Sequence, residues 1–192
     1  MSSQRRLMIA AAAKVESQFD FNGINQYIDT GIKLWTGDPF TLMLVFTSRA
    51  VDSGRNQTIF TTRNYGSEYG VTFSQLTGTL FNRCTMIGGS QYAPSGVFND
   101  SVRGVKRGMV LTFNGSRLTY SKVVTNSDVT SAVSSSSISL PSSATNETVL
   151  LGANRTASGI GEYWNGIIHA IRFDNRELTT TEKQDFFKRR GL

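Results

Sequence analysis

Phe40-Thr41-Leu42-Met43-Leu44-Val45-Phe46-Thr47 is a nearly continuous apolar run, entered from Gly37-Asp38-Pro39. It is rich in aliphatic and aromatic side chains and too short for a typical helix, so it reads as a strand buried on both faces. Toward the N-terminus, Gln18-Phe19-Asp20-Phe21 alternates, Asn22-Gly23 turns, and Tyr27-Ile28-Asp29-Thr30 is extended. Toward the C-terminus, strands are expected at Thr58–Thr62, Tyr69–Phe73, Thr79–Phe81 and Cys84–Ile87. Met109–Phe113 and Arg117–Tyr120 flank Asn114-Gly115, the pair that supplies both positive φ angles of a type I′ hairpin turn. The Ser/Thr-rich stretch 123–140 shows little period, and Thr148–Gly152 and Ile167–Phe173 are late strands. Short strands with turn signals every ~8–12 residues predict an all-β fold, two antiparallel sheets packed as a sandwich.

Helical signals stand only at the two ends. Residues 4–16 are filled with good helix formers and predict a short basic helical arm, with the sandwich running from 17 to 192. At the other end Thr179-Thr180-Thr181-Glu182 has the form of a capping box. A helix over 179–190 follows, with Phe186 and Phe187 on its apolar side, Lys188-Arg189-Arg190 in its last turn and Gly191 as its stop.

Composition narrows the chemistry. The 192 residues hold one Cys (Cys84) and one His (His169), which excludes an intrachain disulfide, a Cys-built zinc site and a multi-histidine metal centre. His169 lies inside an apolar strand, as a hydrogen-bonded face residue does. No stretch approaches the ~18 consecutive apolar residues of a membrane span. The net charge of +6 is unevenly placed. Residues 1–16 carry +2 through Arg5, Arg6 and Lys14, residues 183–192 carry +3, and the 166 residues between carry +1. A duplex-binding face needs a clustered stripe of Lys and Arg. Only the 102–107 stretch hints at one, so nucleic acid is not an expected partner.

The stretch Phe19-Asp20-Phe21-Asn22-Gly23-Ile24-Asn25-Gln26-Tyr27-Ile28-Asp29-Thr30-Gly31, followed by Pro39-Phe40-Thr41, resembles the opening of laminin-G-like domains of the concanavalin A-like superfamily. Tyr163-Trp164-Asn165-Gly166-Ile167-Ile168-His169-Ala170-Ile171-Arg172-Phe173 and Asn175-Arg176-Glu177-Leu178-Thr179-Thr180-Thr181-Glu182 are similar to the ending of the same family. The resemblance covers residues 18–185 and implies a jelly-roll sandwich. It implies far less about function, because folds host sites rather than determine them.

Members of that family often hold calcium or glycans on rim loops. Asp38, Asp100 and Asp128 are loop carboxylates that could serve as calcium ligands, although loop aspartates ordinarily form turns. No Glu-x-Asp-x-x-Glu phrase supplies the carboxylates of a same-fold glucanase, so no enzymatic activity is expected. Sugar recognition calls for exposed aromatic faces. Tyr92, in a Gly/Ser/Pro loop, and Tyr65, in Arg63-Asn64-Tyr65-Gly66, are the best candidates, and Trp35 and Trp164 are further ones that also suit core packing. The functional expectation is a non-enzymatic virion protein of a tailed bacteriophage, made inside the host and displaying a lectin-like sandwich toward a host-surface glycan. Its basic ends (Arg5, Arg6, Lys14, Lys188, Arg189, Arg190) would anchor it to other virion subunits or to copies of itself. The alternatives are a secreted bacterial glycan-binding module, and third a glycoside hydrolase of the same fold.

Overall fold

The computed structural model describes residues 5–6, 14–15, 18–34, 38–49, 56–63, 69–75, 82–88, 91–92, 104–125, 128–129, 132–137 and 147–192. In chain order the strands begin with β1 (Arg5–Arg6), β2 (Lys14–Val15), β3 (Phe19–Asn22), β4 (Ile28–Lys33) and β5 (Phe40–Ser48). They continue with β6 (Gln57–Thr61), β7 (Tyr69–Gln75), β8 (Asn82–Gly88), β9 (Gln91–Tyr92), β10 (Lys106–Phe113) and β11 (Arg117–Val123). Last come β12 (Ala132–Ser137), β13 (Thr148–Leu151), β14 (Asn154–Thr156), β15 (Gly159–Gly161), β16 (Asn165–Asp174) and the helix α1 (Thr180–Lys188).

Two sheets stack as a sandwich. The first runs β1-β4-β13-β6-β7-β8-β9 and the second β12-β11-β10-β5-β16-β2, with β3 paired to the first half of β16. The pairings are antiparallel except for β1 with β4. The all-β antiparallel sandwich read from the sequence is the fold observed.

The register of β5 explains its unbroken apolar run. Leu42, Leu44 and Phe46 enter the core between the sheets, whereas Met43 and Val45 enter a second cluster beneath Phe186 and Phe187 of α1. With both faces covered, no position from Leu42 to Phe46 selects a polar residue. Phe46 meets Phe73 of the opposite sheet edge-on at 5.5 Å between ring centroids, and Trp164 at 6.2 Å. Each such fully buried side chain contributes about 1.5–3 kcal/mol.

A nine-residue helix would not persist alone in water, so packing and caps hold α1 in place. The Thr41 hydroxyl donates to the Arg176 carbonyl (2.9 Å) and accepts from the Leu178 amide (3.0 Å), which fixes the approach to the helix. The capping box forms as the sequence predicts: Thr179 Oγ1 accepts from the Glu182 amide, and the Glu182 carboxylate accepts from the Thr179 amide. Arg176 also pairs with Glu182. Gly108 lies flat under the Phe187 ring, where a Cβ would stand 2.5 Å from Cε1.

Four local expectations are corrected. The arm is not helical at its described residues: Arg5 and Arg6 pair with Ile28 and Asp29, and Lys14 and Val15 pair with Arg172 and Ile171. Unpaired backbone groups along the edges of β4 and β16 outweigh propensity differences of a few tenths of a kcal/mol per residue. The β10–β11 hairpin closes through Asn114, Gly115 and Ser116, and only Gly115 has a positive φ (96°). Asn114 serves instead through its side chain, whose Oδ1 accepts from the Ser116 and Arg117 amides, so the turn is not type I′. Finally, β12 lies within the stretch read as aperiodic, and the β14–β15 hairpin occupies a segment given no strands.

Where the register of β4 with β13 breaks, two β4 amides are answered by the strand's own side chains. Asp29 Oδ1 accepts from the Gly31 amide (3.0 Å) and Thr30 Oγ1 accepts from the Ile32 amide (3.1 Å). Among the described residues no helix is long and apolar enough to cross a membrane.

Candidate functional site

The outer face of the first sheet is polar where β6 and β7 cross it. A register shift between Thr58 and Phe60 sends both Ile59 and Phe60 into the core and leaves Thr58 and Thr61 to the other side. Thr58 Oγ1 then meets Ser74 Oγ at 2.9 Å, and Thr61 Oγ1 meets Thr72 Oγ1 at 2.9 Å, two cross-strand hydroxyl pairs. All four residues are buried, and buried hydroxyls require such partners.

The β14–β15 hairpin and the residues after it complete the cluster. Glu162 is the one described non-glycine residue with a positive φ, 52°. Its carbonyl accepts from the Thr58 amide (2.8 Å), and Tyr163 forms an isolated bridge with Thr58. That left-handed turn brings the Glu162 carboxylate onto the hydroxyl pair: Oε2 accepts from Thr58 Oγ1 (3.1 Å) and from the Asn154 carboxamide (2.7 Å). With Thr58 donating to the carboxylate, Ser74 donates to Thr58, and the proton directions of the chain are settled. A strained backbone held by a hydrogen-bond network is the kind of feature that marks functional positions.

Arg155 flanks this carboxylate from β14. Its Nη2 donates to the Thr148 carbonyl (2.9 Å) and hydroxyl (3.0 Å), and its Nη1 reaches the Arg63 carbonyl at 3.4 Å. Glu147 Oε2 lies 3.8 Å from Nε. Burial pulls the Arg155 pKa downward while Glu147 and Asp29 oppose the shift, and a guanidinium stays charged throughout the physiological range. The ensemble places a carboxylate, a carboxamide and a guanidinium beside a row of buried, mutually paired hydroxyls on one sheet face. These are groups that recognise polyhydroxylated ligands, and among the described residues they include no set of three or more His, Cys, Asp or Glu able to hold a metal.

The residues singled out from sequence fall elsewhere. Trp164 is fully buried, its ring centroid 5.7 Å from that of Phe21, so it is core and not a ligand platform. Trp35, Tyr65 and Asp100 lie outside the described residues. Tyr92 stands in register with Met86 and, through it, with Val71, a core residue, one row away from the Thr61–Thr72 pair. Asp38 is exposed. Asp128 closes its own loop, Oδ2 accepting from the Val124 and Thr125 amides and the Thr125 hydroxyl, which draws its pKa down. His169 sits at a β-bulge with Nε2 2.8 Å from Thr47 Oγ1, and burial lowers its pKa. Of the basic C-terminal residues, Lys188 and Arg189 are exposed. Arg190 is engaged within the helix end, donating to the Phe186 carbonyl (2.8 Å) and lying 4.0 Å from the centre of that ring. Asn154, Arg155 and Glu162 went unassigned because their segment reads as a turn. The Ala157-Ser158-Gly159 turn between two short extended runs was the available signal.

No family model matches the sequence, and no curated protein matches it. Solved structures do match. The CBM40 of the Ruminococcus gnavus IT-sialidase aligns with a TM-score of 0.58 over 88% of this chain and 97% of its own, at 13% identity. The receptor-binding domain of botulinum neurotoxin D aligns with a TM-score of 0.64 over 90% of this chain and 44% of that one, at 11% identity. A leech intramolecular trans-sialidase gives 0.63 over 92% of this chain and 28% of its own, at 14% identity. The chain thus spans about a quarter of the whole sialidases it resembles and nearly all of the separate CBM40. At such identities the likeness is one of fold.

Proposed function

We propose that this chain is a non-enzymatic glycan-binding module whose ligand is taken on the outer face of the first sheet. The observation that carries the reading is the cluster of Glu162, Asn154 and Arg155 over the Thr58–Ser74 hydroxyl pair, held in place by a backbone strained at Glu162. The fold likeness supports it: the matched CBM40 is described as bound to alpha2,3 and alpha2,6 sialyllactose, and another match is a toxin receptor-binding domain. In this reading the carboxylate and carboxamide take sugar hydroxyls and Arg155 faces any acidic substituent.

The test is affinity for a panel containing lactose and both sialyllactoses, measured by calorimetry on the full chain. At least one oligosaccharide binds, and Asn154→Ala weakens it about tenfold, equivalent to ~1.4 kcal/mol. Absence of binding across the panel, or affinities untouched by Asn154→Ala and Glu162→Gln, refutes the proposal.

Carriage on a bacteriophage virion is the fuller form of the proposal. It is supported by the concentration of positive charge at the chain ends around a nearly neutral body. Long-range attraction of that kind is screened by salt. Co-sedimentation with particles that persists unchanged in Lys188→Ser/Arg189→Ser, and at high salt, argues against it. A processed N-terminus found by mass spectrometry favours the secreted module instead.

A further inference from the structure

A second concavity lies on a different part of the sandwich, between β3 and the start of β4. It encloses about 300 Å³, and its walls include Gln18, Phe19, Asp20, Gln26 and Tyr27. That volume is at the lower end of small-ligand pockets and suits one sugar ring. Phe19 and Tyr27 are half-buried, giving apolar walls, and Gln18, Asp20 and Gln26 are exposed at the mouth.

The polar groups are held before any ligand arrives. Asp20 is gripped by both Nη atoms of Arg49, which keeps its carboxyl below the usual carboxylate range and fixes its plane. Gln26 Oε1 accepts from the Asn22 amide (2.9 Å), so its NH₂ is the end left to donate. Asn22 Oδ1 in turn accepts from the Ile24 (2.9 Å) and Asn25 (3.2 Å) amides, and the Gly23 amide is tied to the Trp164 carbonyl (3.0 Å). The loop carrying this wall is therefore rigid, which removes part of the ordering cost of binding.

The balance of groups selects the ligand class. An anion meets the Asp20 carboxylate, and the guanidinium that could attract it is already paired. A cation meets Arg49. What fits is an uncharged ring with adjacent hydroxyls, which donate to Asp20 and accept from Gln26 and Gln18 while the ring carbons lie against Tyr27 or Phe19. The geometry points to a neutral-hexose subsite in this groove, distinct from the Glu162 cluster. The inference rests on the glycan-binding reading but occupies other residues, so the two can fail separately.

The experiment is a titration of the ¹⁵N-labelled full chain with lactose into the tens of millimolar, and in parallel with 3′-sialyllactose, followed by backbone and side-chain amide resonances. Lactose moves the Gln18 and Gln26 carboxamide signals and the Ile24 and Asn25 amides. Gln18→Ala, which removes an exposed side chain, weakens those shifts severalfold, and Asp20→Asn abolishes them while the dispersed spectrum persists. Lactose shifts confined to residues 154–163, or lactose shifts nowhere, overturn the subsite. In the second case shifts with 3′-sialyllactose at Asn154 and Glu162 still uphold the glycan-binding reading. Shifts in the groove alone uphold the subsite and remove the outer-face site.

Discussion

Gly108 and Phe187 make the docking of α1 measurable. A Cβ at Gly108 would stand 2.5 Å from Phe187 Cε1, 2.9 Å from Cδ1 and 3.0 Å from the Val123 Cβ. The ring cannot yield freely, because Phe187 is fully buried and meets Phe186 edge-on at 5.0 Å. Gly108→Ala therefore overpacks the layer between helix and sheet at a cost of about 1–3 kcal/mol. For a chain of this size that lowers Tm by roughly 2–12 °C. Phe187→Ala alone costs about 3–5 kcal/mol. In the Phe187→Ala background the ring contacts are gone and the Val123 Cβ at 3.0 Å is what remains, and Gly108 has no positive φ that alanine would strain. There the gain of about 0.4–1 kcal/mol through the unfolded chain offsets the remaining contact, and Gly108→Ala should cost well under its value in the parent. Urea denaturation of the four proteins gives the cycle directly. Additivity within about 0.5 kcal/mol, or a Gly108→Ala protein as stable as the parent, refutes the packing described for α1.

Three further outcomes follow from the same reasoning. Gly152→Ala combines a φ of +78° with a Cβ 2.3 Å from the Phe21 ring, and should cost at least about 2 kcal/mol, read as a fall in Tm or in soluble yield. Glu162→Ala leaves the Asn154 carboxamide without its acceptor and should cost about 1–3 kcal/mol, whereas Glu162→Gln, retaining an oxygen, should cost less; thermal melts compare them. Arg176, with the Thr179 amide, holds the Glu182 carboxyl down from 4.5 to about 2. A carboxyl with a depressed folded value contributes its stability above pH 4.5 and loses it as pH falls toward 2. NMR titration should show the Thr179 amide shifting in that window, with no such transition in Glu182→Gln.

The sequence disclosed those parts of the fold whose causes are local or two-sided. The β5 run was legible because burial on both faces leaves Leu42 to Phe46 without a polar position, and the capping box because Thr179 and Glu182 are three residues apart. The strands at residues 5–6 and 14–15 were not, since their cause is pairing with β4 and β16, far along the chain. β12, Ala132–Ser137, carries four serines and exists as a strand through its pairing with β11. The polar cluster was hidden for the same reason: Glu162 gains its meaning from Thr58, 104 residues away. Trp164 was readable in principle, as an aromatic two residues before a glycine, Gly166, against which its ring lies, 2.4 Å from where a Cβ would be.

The enclosure of β4 bears on association between copies. With β1 along one side, β13 along the other, and the Gly31 and Ile32 amides answered by Asp29 and Thr30, β4 gives an incoming strand little to hold. Any strand pairing between neighbouring copies therefore falls to the ends of the two sheets, at β1, β9, β12 and β2.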